Sequence, residues 1–221
     1  MSHQPSFPGV VDSTMLATFG CPQKFFNEYI LRLASTGVSP DLHAGGAFAF
    51  GLEAARRAYY LHKAPQEEVE RIALRAFMSY WGDYDPPVLH GDYAAKDFVN
   101  TFCALLSYFV EYPFAHDPIQ PVILANGKPA IEFTCAIPTD VSHPETGDPI
   151  IYGMRFDMLG TYNSFTAVID EKTTYAMGPK WADQWAMRGQ FIGYCFGAQR
   201  HGFVTSTALI RGIAIQKTQY K

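Results

Sequence analysis

Hydrophobic and polar residues recur with two different periods along this chain, and the change falls near residue 117. Before it, apolar positions lie three and four apart, the spacing of a helix face. Ser13 to Phe19 predicts a helix start capped by Asp12 or Ser13, broken at Gly20-Cys21-Pro22 and resumed from Gln23 to Leu33. Gly37 to Asp41 is a turn-rich linker. From Gly45 to His62 the chain is rich in Ala and Gly, which predicts a helix able to approach a sheet closely, with Arg56 and Arg57 well along it. Gln66 to Trp81 predicts an amphipathic helix with Glu67, Glu68 and Glu70 in its first turns, where the helix dipole favours acid. Asp83 to Asp92 is expected as a loop and Ala94 to Tyr112 as a further helix.

Beyond Asp117-Pro118 the pattern becomes that of strands. Val122 to Leu124, Ala130 to Ile137, Ile150 to Tyr162 and Phe165 to Thr173 are predicted strands, divided by turn pairs such as Asn126-Gly127 and Asn163-Ser164. Pro179 suits the first turn of a long helix that runs to Arg200-His201 and stops before Gly202. Phe203 to Ile210 returns to strand, followed by Gly212-Ile213-Ala214-Ile215. The order predicts a single domain over 1–221, with a mainly helical portion at 1–116 and a core of β-meander, helix and strand at 117–221. Its class is α/β or α+β.

Composition narrows the setting. At 221 residues the chain can bury a sizeable core, and 48% hydrophobic with 15% aromatic content marks a folded globule. A net charge of −4, from 17 Lys+Arg against 21 Asp+Glu, excludes a polycationic nucleic-acid coat and leaves room for a local basic groove. No apolar run approaches the ~20 residues of a membrane span. Met1-Ser2-His3-Gln4-Pro5 lacks the basic and apolar regions of a signal peptide, so a cytoplasmic protein is expected. Cys21, Cys103, Cys135 and Cys195 are isolated, which argues against a disulfide framework or a zinc site and for buried thiols.

The candidate chemistry lies in Ala167-Val168-Ile169-Asp170-Glu171-Lys172-Thr173-Thr174, an apolar run that ends in two carboxylates and a lysine. Side chains alternate along a strand, so Asp170 and Lys172 share one face and Glu171 takes the other. A buried acid and base two apart call for a metal ion or a bound anion to offset their desolvation. The triplet alone is common by chance. However, the turn at Asn163-Ser164 makes a hairpin of this strand and the preceding one, so that Asp157, set among Phe156, Met158 and Leu159, comes beside Asp170. On the following helix Gln190 and Tyr194 are four apart and share a face. An ordinary amphipathic helix would do the same.

In combination, Gly153-x-x-x-Asp157, Asp170-x-Lys172-Thr173-Thr174 and Gln190-x-x-x-Tyr194 resemble the PD-(D/E)XK nuclease superfamily, in its RecB-like and phage-exonuclease branch. Upstream, Ser13 through Cys21-Pro22-Gln23-Lys24-Phe25 looks like that branch's N-terminal helix. The resemblance implies a restriction-endonuclease-like α/β fold, a mixed central sheet flanked by helices. It also implies divalent-metal-dependent DNA hydrolysis in recombination, repair or phage replication, with DNA and a recombination or helicase protein as partners. Asp157 and Asp170 would hold Mg²⁺ or Mn²⁺, and Lys172 would orient the attacking water. Gln190 and Tyr194 would lie near the DNA or the lysine.

Two departures qualify that reading. Where many relatives carry a metal-binding histidine in a Gly-rich helix start, this chain places Ala49, and Glu53 one turn on is the expected substitute ligand. His43 precedes that helix and is expected in a loop. Relatives with an iron–sulfur cluster use the equivalent of Cys21 with three further cysteines near the C-terminus, and no such group follows Cys195, so that cofactor is not supported. Glu132 ranks below the other acids as a ligand. Arg56, Arg57, Lys180, Arg188, Arg200 and Arg211 are candidate phosphate contacts, and Trp181 and Trp185 either stack on single-stranded bases or belong to the core. The alternative function is a weak or inactive nuclease-fold module that binds DNA or protein.

Overall fold

A computed structural model describes residues 6–34, 37–85 and 95–216. Most of the loop expected between Asp83 and Asp92, and the expected first residue of the next helix, lie outside the described residues. The architecture is α/β, with a mixed sheet between two helical layers. The sheet is built on β4 (Pro149–Tyr162), whose two edges are shared. One carries β3 (Ile131–Ser142), antiparallel from Ile131↔Met158 to Ser142↔Pro149, with β2 (Gln120–Pro121) beyond it. The other carries β1 (Val10–Val11), parallel at Ile151 and Tyr152, and then β5 (Phe165–Thr174), antiparallel from Tyr162↔Phe165 to Met158↔Ile169. β6 (Ala208–Ala214) closes the far side, parallel to β5. The β4–β5 turn is the two-residue type in which both central residues have positive φ, 45° at Asn163 and 69° at Ser164.

One helical layer consists of α3 (Pro40–Arg56), α4 (Gln66–Trp81) and α5 (Phe98–Glu111). Phe48, Leu52, Phe77 and Leu105 are buried there with Met158 and Ile169 of the sheet. Each such side chain contributes about 1.5–3 kcal/mol of hydrophobic stabilisation. The other layer is α6 (Gly189–Arg200) with the N-terminal α1 (Ser13–Thr18) and α2 (Pro22–Phe25). Here Phe191, Tyr194 and Ala198 bury Tyr152, Met154, Phe156 and Val168.

The α4 boundaries are those its pattern predicts, and Asp12 caps α1 by accepting from the Met15 N–H at 2.8 Å. Other boundaries move. α3 begins five residues before the expected Gly45, because Pro40 sits at its first turn, where a fixed φ favours helix. His43 is therefore helical, not in a loop, and packs on Tyr84 with ring centroids 3.9 Å apart. The long helix expected from Pro179 is instead a turn, a short 3₁₀ segment at Asp183–Trp185 and α6 from Gly189. Met187 breaks it with φ of 55°, a conformation no helix contains. The expected strand at Val122–Leu124 reduces to a bridge between Ile123 and Pro129, and the last strand starts at Ala208 rather than Phe203. Cys135 is buried, Cys103 and Cys195 are partly so, and Cys21 is exposed.

Candidate active site

The two central strands separate at the carboxylates. Pairing between β4 and β5 ends at Met158↔Ile169, so the next residues in register, Asp157 and Asp170, stand at the mouth of a fork. Past it, β5 continues beside β6 alone, through Asp170↔Ile210 to Thr174↔Ala214. Side chains take over from the ladder at this point. Asp157 Oδ2 accepts from the Glu171 N–H at 3.4 Å, and Asp170 Oδ1 accepts from Gln190 Nε2 at 3.4 Å.

Opposite Asp157 on β3 is Glu132, between the pairs Ile131↔Met158 and Phe133↔Phe156. Its φ of 48° is left-handed and strained for a residue with a side chain. The strand turns over there, since Ile131 packs with the α3–α5 layer and Phe133 with the α6 layer. Glu132 thereby enters a cleft of about 750 Å³ between α3 and the sheet, lined also by Ala49, Glu53, Asp157, Glu171 and Lys172. α3 comes this close because Gly45 lacks a side chain; a Cβ there would lie 3.1 Å from Thr173 Oγ1.

Asp170 and Lys172 share a face as expected, with Lys172 Nζ 2.7 Å from Asp170 Oδ2 and 5.8 Å from the centre of the Phe191 ring. Gln190 and Tyr194 also meet, Nε2 donating to Oη at 3.1 Å, so the amide joins the phenol to Asp170. Glu53 lines the cleft but is held by Arg57 at 2.8 Å, and Ala49, exposed beside it, offers no ligand atom. Among the described residues, no three His, Cys, Asp or Glu side chains stand together as a ready-made metal cage.

The charges are matched carboxylate by carboxylate, with one exception. Glu53 pairs with Arg57, Glu132 with Arg155 at 3.1 Å, Asp170 with Lys172, and Glu171 with Arg56. Asp157 has no ion-pair partner among the described residues. Burial raises its pKa, and the Glu171 charge raises it further. Asp170 is raised by burial first and by Asp157 second, against the pull of Lys172. Burial, Glu53 and Asp157 push Glu132 up to about 7. Crowded, desolvated carboxylates with raised pKa values take up a cation readily, and an all-oxygen donor set is hard, of the kind Mg²⁺ and Mn²⁺ prefer.

Glu171 faces away from Asp170 and Lys172, and its role there was not apparent from the sequence. Its carboxylate takes the Arg56 guanidinium and the Tyr108 hydroxyl, the latter at 3.2 Å. Arg211 donates to the Tyr108 oxygen at 2.6 Å and grips Asp117 with two bonds of 2.9 Å. This buried chain ties α3, α5, β5 and β6 together behind the fork. It also removes Arg56 and Arg211 from the candidate phosphate contacts, since both are committed to carboxylates. One signal could have revealed Arg56: it falls one turn after Leu52 on the stripe of Phe48 and Leu52 that α3 buries.

No protein-family model matches this chain, and no curated protein matches it. Among the described residues, no helix is long and apolar enough to cross a membrane.

Proposed function

We propose that this protein is a divalent-metal-dependent deoxyribonuclease of the PD-(D/E)XK type, hydrolysing phosphodiester bonds at the β4–β5 fork. One observation carries the reading: two acids and a lysine, on neighbouring strands, converge where those strands part, and among the described residues Asp157 is the one acid of the cleft without a cation of its own. Asp157 and Asp170 would hold Mg²⁺ or Mn²⁺, with Glu132 or Glu53 completing the set. The bound ion would supply Lewis-acid stabilisation of the phosphate and a lowered pKa for its water.

The chain's own groups do the rest. Lys172, with its ammonium at Asp170, orients the attacking water and offers positive charge to the phosphoryl oxygens as negative charge develops there. Gln190 fixes the Asp170 carboxylate through Oδ1, leaving Oδ2 to the lysine. Phe191 and Tyr194 exclude water from the far side of the pair.

Ala49 and the Glu53–Arg57 pair favour a second reading, a weak or inactive nuclease-fold module that binds DNA or protein. Digestion of linear single- and double-stranded DNA with Mn²⁺, by the wild type and Lys172→Ala, decides between them. Cleavage by the wild type alone supports the nuclease. Equal cleavage by both removes Lys172 from the chemistry, and no cleavage by either supports the binding module.

A further inference from the structure

β6 forms one edge of the sheet, and among the described residues it pairs with β5 alone. The Val168 N–H donates to the Thr207 carbonyl and the Ile215 N–H to the Thr174 carbonyl, so the odd-numbered residues from 207 to 215 carry the ladder to β5. The backbone N–H and C=O groups of Ala208, Ile210, Gly212 and Ala214 point the opposite way, and among the described residues they have no backbone partner. An open edge of this kind is usually blunted by proline, by a charged side chain or by a bulge. The opposite edge, β3, has all three: Pro138, Asp140 and a shift of register between Pro138 and Ser142. β6 has none of them. Its seven residues pair with β5 without a break, and its one charge, Arg211, turns inward to Asp117.

Grooves flank this edge on both faces of the sheet. One, of about 610 Å³ on the α6 face, is lined by Ala208 and Ile210 with Ile192 and Phe196, and among its described lining residues Arg188 alone is charged. Arg188 has no acidic partner among the described residues, and its Nε donates to the Gln184 carbonyl at 2.8 Å. The other groove, of about 250 Å³ on the α5 face, lies beside the end of β6. Glu111 is the one charged residue among its described lining, also without an ion-pair partner among the described residues. Phe191 is buried between the first groove and Lys172, and neither groove shares a described lining residue with the cleft at the fork. The edge is therefore a surface separate from the candidate active site.

A strand laid along β6, about 4.8 Å away, sends alternate side chains into the two grooves. Apolar side chains fit the α6 groove, with an acid at Arg188 beside the start of β6, and on the other face a base fits Glu111 beside its end. A second copy of β6 does not meet that pattern. Antiparallel pairing about a two-fold axis leaves Arg188 of one copy and Glu111 of the other on opposite faces, and parallel pairing leaves them at opposite ends. We propose that the β6 edge receives an extended segment of another protein, in which an acid and apolar residues alternate with polar residues and a base. This goes beyond the nuclease reading and does not rest on it.

The probes are two capped, labelled peptides, Asp-Thr-Ile-Thr-Val-Lys for parallel addition and its reverse for antiparallel addition, titrated into the full chain and followed by fluorescence anisotropy. One of them is expected to bind the wild type. Arg188→Glu, at an exposed position, is expected to weaken that binding about ten-fold, the range for loss of a charge-assisted hydrogen bond, and a peptide with Lys in place of its Asp is expected to restore it. Ala208→Pro removes an outward N–H without touching the ladder to β5 and is expected to weaken binding likewise. Hydrogen exchange adds a readout specific to strand addition: the amides of Ile210 and Gly212 are expected to slow on binding, and those of Leu209 and Arg211, already bonded to β5, to change less. Binding by neither peptide, wild-type affinity in Arg188→Glu or in Ala208→Pro, or binding that leaves the Ile210 and Gly212 amides unprotected overturns the proposal. Self-association of the free protein that Ala208→Pro abolishes, measured by sedimentation, also overturns it and assigns the edge to a second copy of the chain.

Discussion

Lys172 Nζ and Asp170 Oδ2 lie 2.7 Å apart, with the carboxylate almost wholly buried and the ammonium partly open to the cleft. The lysine therefore both supports the acid and competes with any cation that binds it. Replacing Lys172 by Met removes the charge and keeps most of the stem. DNA cleavage is expected to fall by about 10²–10³, the range for loss of one preorganised electrostatic contact in a transition state. Calorimetry is expected to show Mn²⁺ binding maintained or tightened, because the competing ammonium is gone. Loss of metal binding together with cleavage would mean that the lysine acts by holding the site's shape.

The Arg56–Glu171 pair is buried on both sides, each side chain 4% exposed. Burial is the largest single effect and would lower the Arg56 pKa, yet the charge and hydrogen bond of Glu171, with Tyr108 and Asp157, together outweigh it and the net shift is upward. Removing one member of such a pair strands the other, at a cost of about 3–5 kcal/mol. With about 2–4 °C per kcal/mol for a chain of this size, Arg56→Met is expected to lower Tm by roughly 10 °C. The double variant Arg56→Met with Glu171→Leu is expected to recover part of that loss, which thermal unfolding of all four proteins measures as a double-mutant cycle.

What the sequence made legible follows from how local each determinant is. α4 carries its own signals, acids in the first turns and Gly82 at its end with φ of 55°, so its limits could be read directly. The β4–β5 hairpin was equally readable from Asn163-Ser164, and with it the meeting of Asp157, Asp170 and Lys172. The segment after Pro179 misled because Trp181 and Trp185 have helical spacing, whereas Trp181 is drawn instead over Gly212 of β6. β6 itself takes its limits from its parallel register with β5, a long-range property that periodicity does not express. Likewise Arg56 and Glu171 are 115 residues apart, and the contribution of Glu132 depends on a backbone φ rather than on its neighbours in sequence.

Gly51 tests the packing of α3 on its neighbours. Alanine is the better helix former by about 1 kcal/mol, so propensity alone favours Gly51→Ala. A Cβ there, however, would lie 2.7 Å from Leu105 Cδ2 and 3.1 Å from the Ala73 carbonyl oxygen, which is backbone and cannot swing away. Overpacking of this kind costs about 1–3 kcal/mol. The net expectation is a destabilisation of up to about 2 kcal/mol, read as a lower urea midpoint with unchanged m-value.

Glu132 gives the metal-free protein a particular pH dependence. Its pKa is raised to about 7 in the folded state, first by burial, against about 4.3 for an unfolded glutamate. Between those values the native state holds a proton that the unfolded state has lost, so stability falls as pH rises. The contribution is fully present below about pH 4 and has gone above about pH 7. In EDTA, Glu132→Gln is expected to flatten the decline in Tm from pH 5 to pH 7.5 relative to the wild type. A parallel decline in both proteins would assign the dependence to other groups.

The third ligand separates Glu132 from Glu53. Glu53 is on the helix where the nuclease resemblance expects a ligand, but Arg57 holds it at 2.8 Å and its charge acts on Glu132. Glu132 is directly across from Asp157, in a left-handed conformation that costs about 1–3 kcal/mol and aims its carboxylate into the cleft. Its partner Arg155 is 64% exposed at the side chain, so that pair is easily exchanged for a cation. Mn²⁺ calorimetry on three variants orders them: Asp157→Asn is expected to weaken binding most, Glu132→Gln by about ten-fold, and Glu53→Gln least. If Glu53→Gln weakens binding more than Glu132→Gln, the helix supplies the ligand after all, and Arg57 must release Glu53 when the ion enters.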